Sequence, residues 1–200
     1  MANLTKIIGA ITLPIFLSGC LSIGSGPLTN SISLPFSQIN KKHKLPSGFC
    51  LDKSASSSTA YQETMVVTNC IAVINGNNSY FSRRPVDTIV NIAFTRSIVP
   101  KNISQQEYLS IIARNMEFKK FLTASSSKKL VYGKQKLLKK FFHLSFQRIN
   151  SSDGREFVRK YFFFVNKKLV VMTILSFQKP RKNTYIAFEG FIKKVSSANF

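Results

Sequence analysis

Tryptophan is absent from this 200-residue chain, histidine occurs twice, and only eight residues are Asp or Glu. These shortages narrow the possible chemistry. Glycoside hydrolysis needs two carboxylates flanking one bond. Of the eight acids, a helix cap accounts for Glu107, a helix surface for Glu117 and a turn for Asp153. Glu63 and Asp87 are left as a pair that a hairpin would set face to face, with nothing to single them out. His43 lies among lysines, and His143 falls on the polar face of an expected strand with no acid or nucleophile near it in sequence. A Gly-x-Ser-x-Gly elbow, a phosphate loop and a His-Glu-x-x-His helix are all missing. No catalytic residue, metal ligand set or cofactor is expected. An enzyme whose residues converge only in three dimensions is the competing class.

What the chain does have is apolar mass and positive charge. Hydrophobic residues make up 44%, with 18 Phe and 6 Tyr, enough for one domain with a real core. The formal charge is +21, with 29 Lys and Arg. It is lopsided, since residues 1–100 carry +5 and residues 101–200 carry +16. Such a field draws polyanions and anionic membrane surfaces. Lys outnumbers Arg 21 to 8, whereas specific phosphate recognition favours the Arg fork. Composition and solubility therefore explain the charge as well as function does.

Lys6 precedes the apolar run Ile7–Leu17, diluted by Gly9, Thr12 and Pro14. The run suits a signal segment and falls well short of the ~20 residues of a spanning helix. It closes on Leu17-Ser18-Gly19-Cys20, which resembles the bacterial lipobox. Small residues admit the peptidase close to the membrane, and the thiol is the nucleophile that takes a diacylglyceryl group. The resemblance implies cleavage before Cys20 by signal peptidase II, lipidation of Cys20 and, in many diderm bacteria, a third acyl chain. Several chains anchor stably where one is marginal. Leu21, in place of the Asp linked to inner-membrane retention in enterobacteria, favours the outer membrane, facing the periplasm.

Removing Cys20 from a count of three leaves Cys50 and Cys70. In an oxidising compartment such a pair is usually bridged, and a loop of this size would stabilise by roughly 3 kcal/mol. Metal binding is the alternative, but two cysteines twenty apart with only His43 and His143 give no zinc spacing. The segment Gly48-Phe49-Cys50-Leu51-Asp52 resembles part of uncharacterised alphaproteobacterial envelope proteins and implies no activity.

The organisation follows as residues 1–19 signal peptide, 20–44 lipidated terminus and flexible spacer ending in Lys41-Lys42-His43-Lys44, and 45–200 a single domain. Met65–Val67 and Ile71–Ile74 are apolar, before the turn signal Asn75-Gly76-Asn77-Asn78. Val86–Thr95 alternates as a half-buried strand, with Val86, Val90, Ile92 and Phe94 on one face. Ser104-Gln105-Gln106-Glu107 forms a capping box opening a helix to about Leu122, with Tyr108, Ile111, Ile112, Met116 and Leu122 along one stripe. Leu138–Ile149 is expected to be a strand with Phe142, Leu144 and Phe146 inward. Glu156–Val165 and Leu169–Gln178 are apolar on both faces and belong at the centre of a sheet. Arg159–Val165 resembles the aromatic strand of an RNA-recognition sheet, but it lacks the internal glycines, so a buried strand explains it better and nucleic acid is not an expected partner. Thr184–Val195 is either a last strand or a short terminal helix, with helix preferred. The fold class is α+β, a meandering antiparallel sheet covered on one side by helix.

Lys128, Lys129, Lys134, Lys136, Lys139 and Lys140 form an acid-free segment between the helix and the next strand. They are the candidate binding surface, for anionic lipid, lipopolysaccharide, a wall polymer or an envelope protein complex. A solvated edge guarded against pairing by lysines is an equally good reading. The function expected is a lipid-anchored envelope adaptor or binding module without catalysis.

Overall fold

The computed structural model of the protein describes residues 29–34, 42–59, 62–71, 87–98, 102–123, 129–149 and 154–197. The expected signal segment with Cys20, the turn at 75–78, Val86, Lys128 and Asp153 lie outside them. The described strands are β1 (Ser31–Ser33), β2 (Lys42–Lys44), β3 (Phe49–Ser58), β4 (Gln62–Asn69), β5 (Thr88–Ile98), β6 (Lys129–Leu137), β7 (Phe141–Ile149), β8 (Arg155–Val165) and β9 (Lys168–Ser176). The helices are α1 (Gln105–Arg114), α2 (Met116–Thr123) and α3 (Lys182–Ser197).

Seven strands make one antiparallel sheet in the order β3-β4-β5-β9-β8-β7-β6, so β3 and β6 are its edges. Its tightest hairpin joins β8 to β9 through Asn166 and Lys167, with φ of 49° and 61°, while Val165 pairs with Lys168. Two consecutive positive φ values give the turn that matches strand twist. The α+β class stands and β8 and β9 lie inside the sheet as their apolar runs required, but the sheet is not one meander, because β5 pairs with β9 and β6 starts at the far edge.

Both faces of the sheet are buried, which corrects the expectation of cover on one side. On the front face Val67, Val90, Phe94, Tyr161, Phe163 and Met172 pack with Phe188, Phe191, Ile192 and Val195 of α3. On the back face Phe142, Leu144, Phe146, Phe162 and Phe164 pack with Tyr108, Leu109 and Ile112 of α1. Burying one such side chain is worth about 1.5–3 kcal/mol. Edge-on ring contacts join the layers, Phe49 to Phe188 at 4.9 Å in front and Phe118 to Phe162 at 5.7 Å behind.

The helix expected over 104–122 is two helices. Ser104 caps α1, its Oγ accepting from the Glu107 amide at 3.1 Å. Asn115, with ψ of 107°, ends it. The Asn115 side chain then caps α2, its Oδ1 accepting from the Phe118 amide at 2.9 Å. An Asn that offers its own acceptor competes with the helix around it. Within α1 the buried stripe takes in Leu109 where Ile111 was expected, and beyond the break Met116 is 61% exposed.

Two further readings change. Residues 29–34 and 42–44, expected as free spacer, form the β1–β2 ribbon, and Ile32 and Leu34 enter the front core. The Leu51 amide donates to Thr29 at 2.8 Å, tying this ribbon to β3. β5 is more than half-buried, because on its second face Ala93 and Thr95 are buried as well, with Thr95 donating to the Leu169 carbonyl at 3.0 Å.

Candidate functional site at the basic sheet edge

The lysine segment is a strand rather than a connection. β6 pairs with β7 along Lys129–Leu137, and Lys139 and Lys140 make the turn into β7, where the Leu138 amide donates to Phe141 at 2.8 Å. Every residue of β6 except Leu130 is exposed. Lys129, Lys134, Lys136 and Lys139 are exposed and Lys140 is half-buried; Lys128 lies outside the described residues. No Asp or Glu occurs between Glu117 and Asp153, so the sequence around the edge has no internal counter-charge.

Register divides the strand into two rows. Lys129 and Lys136 lie opposite Ile149 and His143, and Val131 opposite Gln147, on the front face. Tyr132, Gln135 and Leu137 lie opposite Phe146, Leu144 and Phe142, on the back. Between Tyr132 and Gln135 a bulge places Gly133 and Lys134 opposite Ser145. A Cβ on Gly133 would come within 3.2 Å of the Ser145 carbonyl oxygen, so the strand crosses β7 closely there.

A polar cluster lies behind this edge on the front face. Arg159 of β8 donates from Nε to Ser145 Oγ at 2.9 Å and from Nη1 to the Tyr161 hydroxyl at 3.4 Å. Its guanidinium lies 3.6 Å over the Tyr185 ring and 3.6 Å from the Glu189 carboxylate. Tyr161 donates to the same carboxylate at 3.2 Å. Tyr185 and Glu189 are four apart on α3, on one helix face, so this cluster latches α3 to the sheet. Burial raises the Tyr161 hydroxyl pKa well above its usual value, although the hydrogen bond and charge of Arg159 oppose this.

His143 is buried at 6% exposure, not set on an open polar face, with the rings of Phe141 and Tyr161 beside it. Its ring centroid is 5.6 Å from that of Tyr161. Its Nδ1 has no hydrogen-bond partner among the described residues. Burial chiefly, then the Arg159 charge, lowers its pKa from 6.5 to about 4; Glu189 opposes the shift and Lys136 adds to it. The imidazole is thus neutral at pH 7. Glu189 is committed to Arg159 and Tyr161, and no hydrogen bond links it to His143 among the described residues. Glu63 and Asp87 do not face each other: Glu63 pairs with Phe94, whereas Asp87 precedes Thr88 at the other end of β5.

The back face holds a group that carries no motif. Lys160 lies between Leu144 and Thr173 and is 2% exposed, with no carboxylate partner among the described residues. Burial first, then Arg148, lowers its pKa from 10.5 to about 8. Alternation with Val158, Phe162 and Phe164 already pointed it inward, so period two was the available signal. Near the turn, Gln105, Leu109, Lys139, Lys140, Phe164 and Ser196 line a cavity of about 40 Å³, room for waters rather than a metabolite.

Cys50 and Cys70 are bridged, as expected, tying β3 to the end of β4 with Cα atoms 4.8 Å apart. Among the described residues no cluster of three His, Cys, Asp or Glu side chains could hold a metal ion, and no helix is long and apolar enough to cross a membrane.

No protein-family model and no curated protein matches the chain. Among solved structures it is similar to the extracellular domain of PknH from Mycobacterium tuberculosis, at 10% identity over 72% of this chain and 67% of that one, with a TM-score of 0.41. It is also similar to the Saccharomyces cerevisiae Ran-binding protein Mog1p, at 9% identity over 77% and 86% of the two chains, with a TM-score of 0.40.

Proposed function

We propose that the chain is an envelope lipoprotein, lipidated at Cys20 and held at the outer membrane facing the periplasm. Its domain acts as a non-enzymatic adaptor or binding module whose basic surface engages an anionic envelope component or a protein partner. The observation that carries this reading is the exposed β6 edge, which presents Lys129, Lys134 and Lys136 and continues into Lys139 and Lys140 with no carboxylate in the segment. The Cys50–Cys70 bridge supports the compartment, because disulfides persist where the surroundings are oxidising.

Vesicle co-sedimentation tests the surface, using the mature chain from Leu21 without its lipid so that anchoring does not mask binding. Replacing Lys128, Lys129, Lys134, Lys136, Lys139 and Lys140 by Gln is expected to cut binding to anionic vesicles or lipopolysaccharide at least tenfold. Six lysines neutralised elsewhere should cost much less. Binding should fall steeply with salt, since exposed charges are screened beyond ~8 Å at physiological ionic strength. Equal losses for both lysine sets would refute the surface. For the anchor, Cys20→Ser should abolish palmitate labelling and leave precursor; normal labelling would refute it.

A further inference from the structure

The remaining question is what kind of partner the β6 edge fits. A sheet edge offers two things at once, an unpaired row of backbone N–H and C=O groups and side chains alternating on two faces. Beyond β6 no strand follows among the described residues. Its side chains are partly sorted: Lys129 and Lys136 flank Val131, 41% exposed, in front, and Tyr132 and Leu137 flank Gln135 behind, with Tyr132 53% and Leu137 40% exposed. We propose that β6 receives an extended segment of a partner protein as an eighth strand, one in which acidic residues alternate with apolar ones. This rests on the reading of β6 as the binding surface and specifies the mode and chemistry of its occupant.

Each part of that chemistry has its own ground. Main-chain pairing supplies affinity in strand addition, and alternate side chains supply specificity. Acids on one face of the added strand would meet Lys129 and Lys136, while apolar residues on its other face would cover Tyr132 and Leu137. A second copy of this chain is disfavoured as the occupant, because two edges of the same sign would meet on molecules that each carry +21. A bare lipid headgroup surface would use the lysines and leave the backbone row and the exposed apolar row unmatched. The opposite edge is closed to the same event, since Thr29 already bonds β3 at Leu51 and a break in register follows Asp52.

The test uses the mature lipidated protein in detergent micelles and four probes. These are an eight-residue peptide alternating Glu and Val, a block isomer with four Glu followed by four Val, the alternating peptide N-methylated at every second amide, and phosphatidylglycerol vesicles. The alternating peptide is expected to bind at least tenfold more tightly than the block isomer or the N-methylated form. It should also slow amide exchange along Lys129–Leu137 and leave Phe49–Ser58 unchanged. Lys129→Gln with Lys136→Gln should weaken it at least fivefold, whereas Lys53→Gln with Lys182→Gln should not. If all three peptides bind equally, or bind without protecting β6, strand addition is overturned and the basic-surface reading stands. Strand addition is overturned in the same way if vesicles bind and no peptide does. If neither peptides nor vesicles bind, both readings fall.

Discussion

The two edges of this sheet are finished in opposite ways. At β3, one device holds the edge strand in place and two interrupt its outer side. The Cys50–Cys70 bridge ties the strand to β4, and Thr29 bonds its outer side at Leu51. Asp52 then turns the chain inward, its Oδ1 accepting from Ser54 N at 3.0 Å, Ser54 Oγ at 2.6 Å and Ala55 N at 3.1 Å. Ser56 carries the distortion into β4 by donating to the Asp52 carbonyl and accepting from the Val66 amide. At β6 there is a bulge and a set of lysines. Hydrogen bonds already made on the outer side of an edge close those positions to any newcomer. Charge protects an edge only from partners of the same sign, and it invites those of the opposite sign. The asymmetry is what makes β6, and not β3, the place to look for a partner.

The comparison can be broken most severely at the closed edge. Replacing both Cys50 and Cys70 by Ala should cost about 3 kcal/mol, seen as a lower urea midpoint, because the unfolded chain regains the freedom of a twenty-residue loop. Binding at β6 should not change. If anionic binding falls together with stability, the two edges are not independent. Acid should act from the other side. His143 stays neutral in the fold down to about pH 4 but takes a proton near 6.5 once unfolded. Its contribution is therefore complete above pH 6.5 and drains away as pH falls from 6.5 toward 4. The loss should be about 2 kcal/mol, below the value for a sealed site because the ring lies one strand from an open edge. Amide exchange in β6 and β7 should rise before that in β3, and His143→Asn should flatten the slope; a slope unchanged in the variant would assign it to other groups. Smallest is the bulge. Gly133→Ala presses a methyl on the Ser145 carbonyl and should cost up to about 1 kcal/mol, with exchange faster only in β6.

How far the sequence could be read depended on where each signal came from. Local and periodic information carried through: the Ser104 cap, the inward Phe142-Leu144-Phe146 series, the two-faced β8 and β9, and the C-terminal helix all followed from neighbours within a few residues. β3 was not readable as a strand, and β6 was readable only as one of two equal readings, the lysine-guarded edge. β6 is exposed on both faces and β3 runs into Lys53-Ser54-Ala55-Ser56, so neither shows the alternation that a half-buried strand displays. The latch was invisible for another reason. His143, Arg159 and Glu189 belong to β7, β8 and α3, and only the return of α3 over the front face brings the last to the other two. His143 read as solvent-facing because its polar neighbours Ser145 and Gln147 share its face, while the Tyr161 ring beside it comes from the next strand. The Asn115 break was readable in principle, since Asn before Met116-Glu117 offers a cap, but the apolar spacing ran through it.

Lys160 gives the back face a kinetic meaning. With its pKa lowered to about 8, a fraction of this amine is uncharged at neutral pH and intrinsically ready to react with electrophiles. At 2% exposure it is also shut away from reagents. Reactivity and access are therefore opposed. Lys160 should stay unmodified while the back layer is closed and react as an ordinary lysine once it opens, because the water that admits a reagent also restores the charge that burial suppressed. The rate at which Lys160 is acylated would then report the fraction of time the back layer stands open, making the side chain an internal gauge of the domain's breathing.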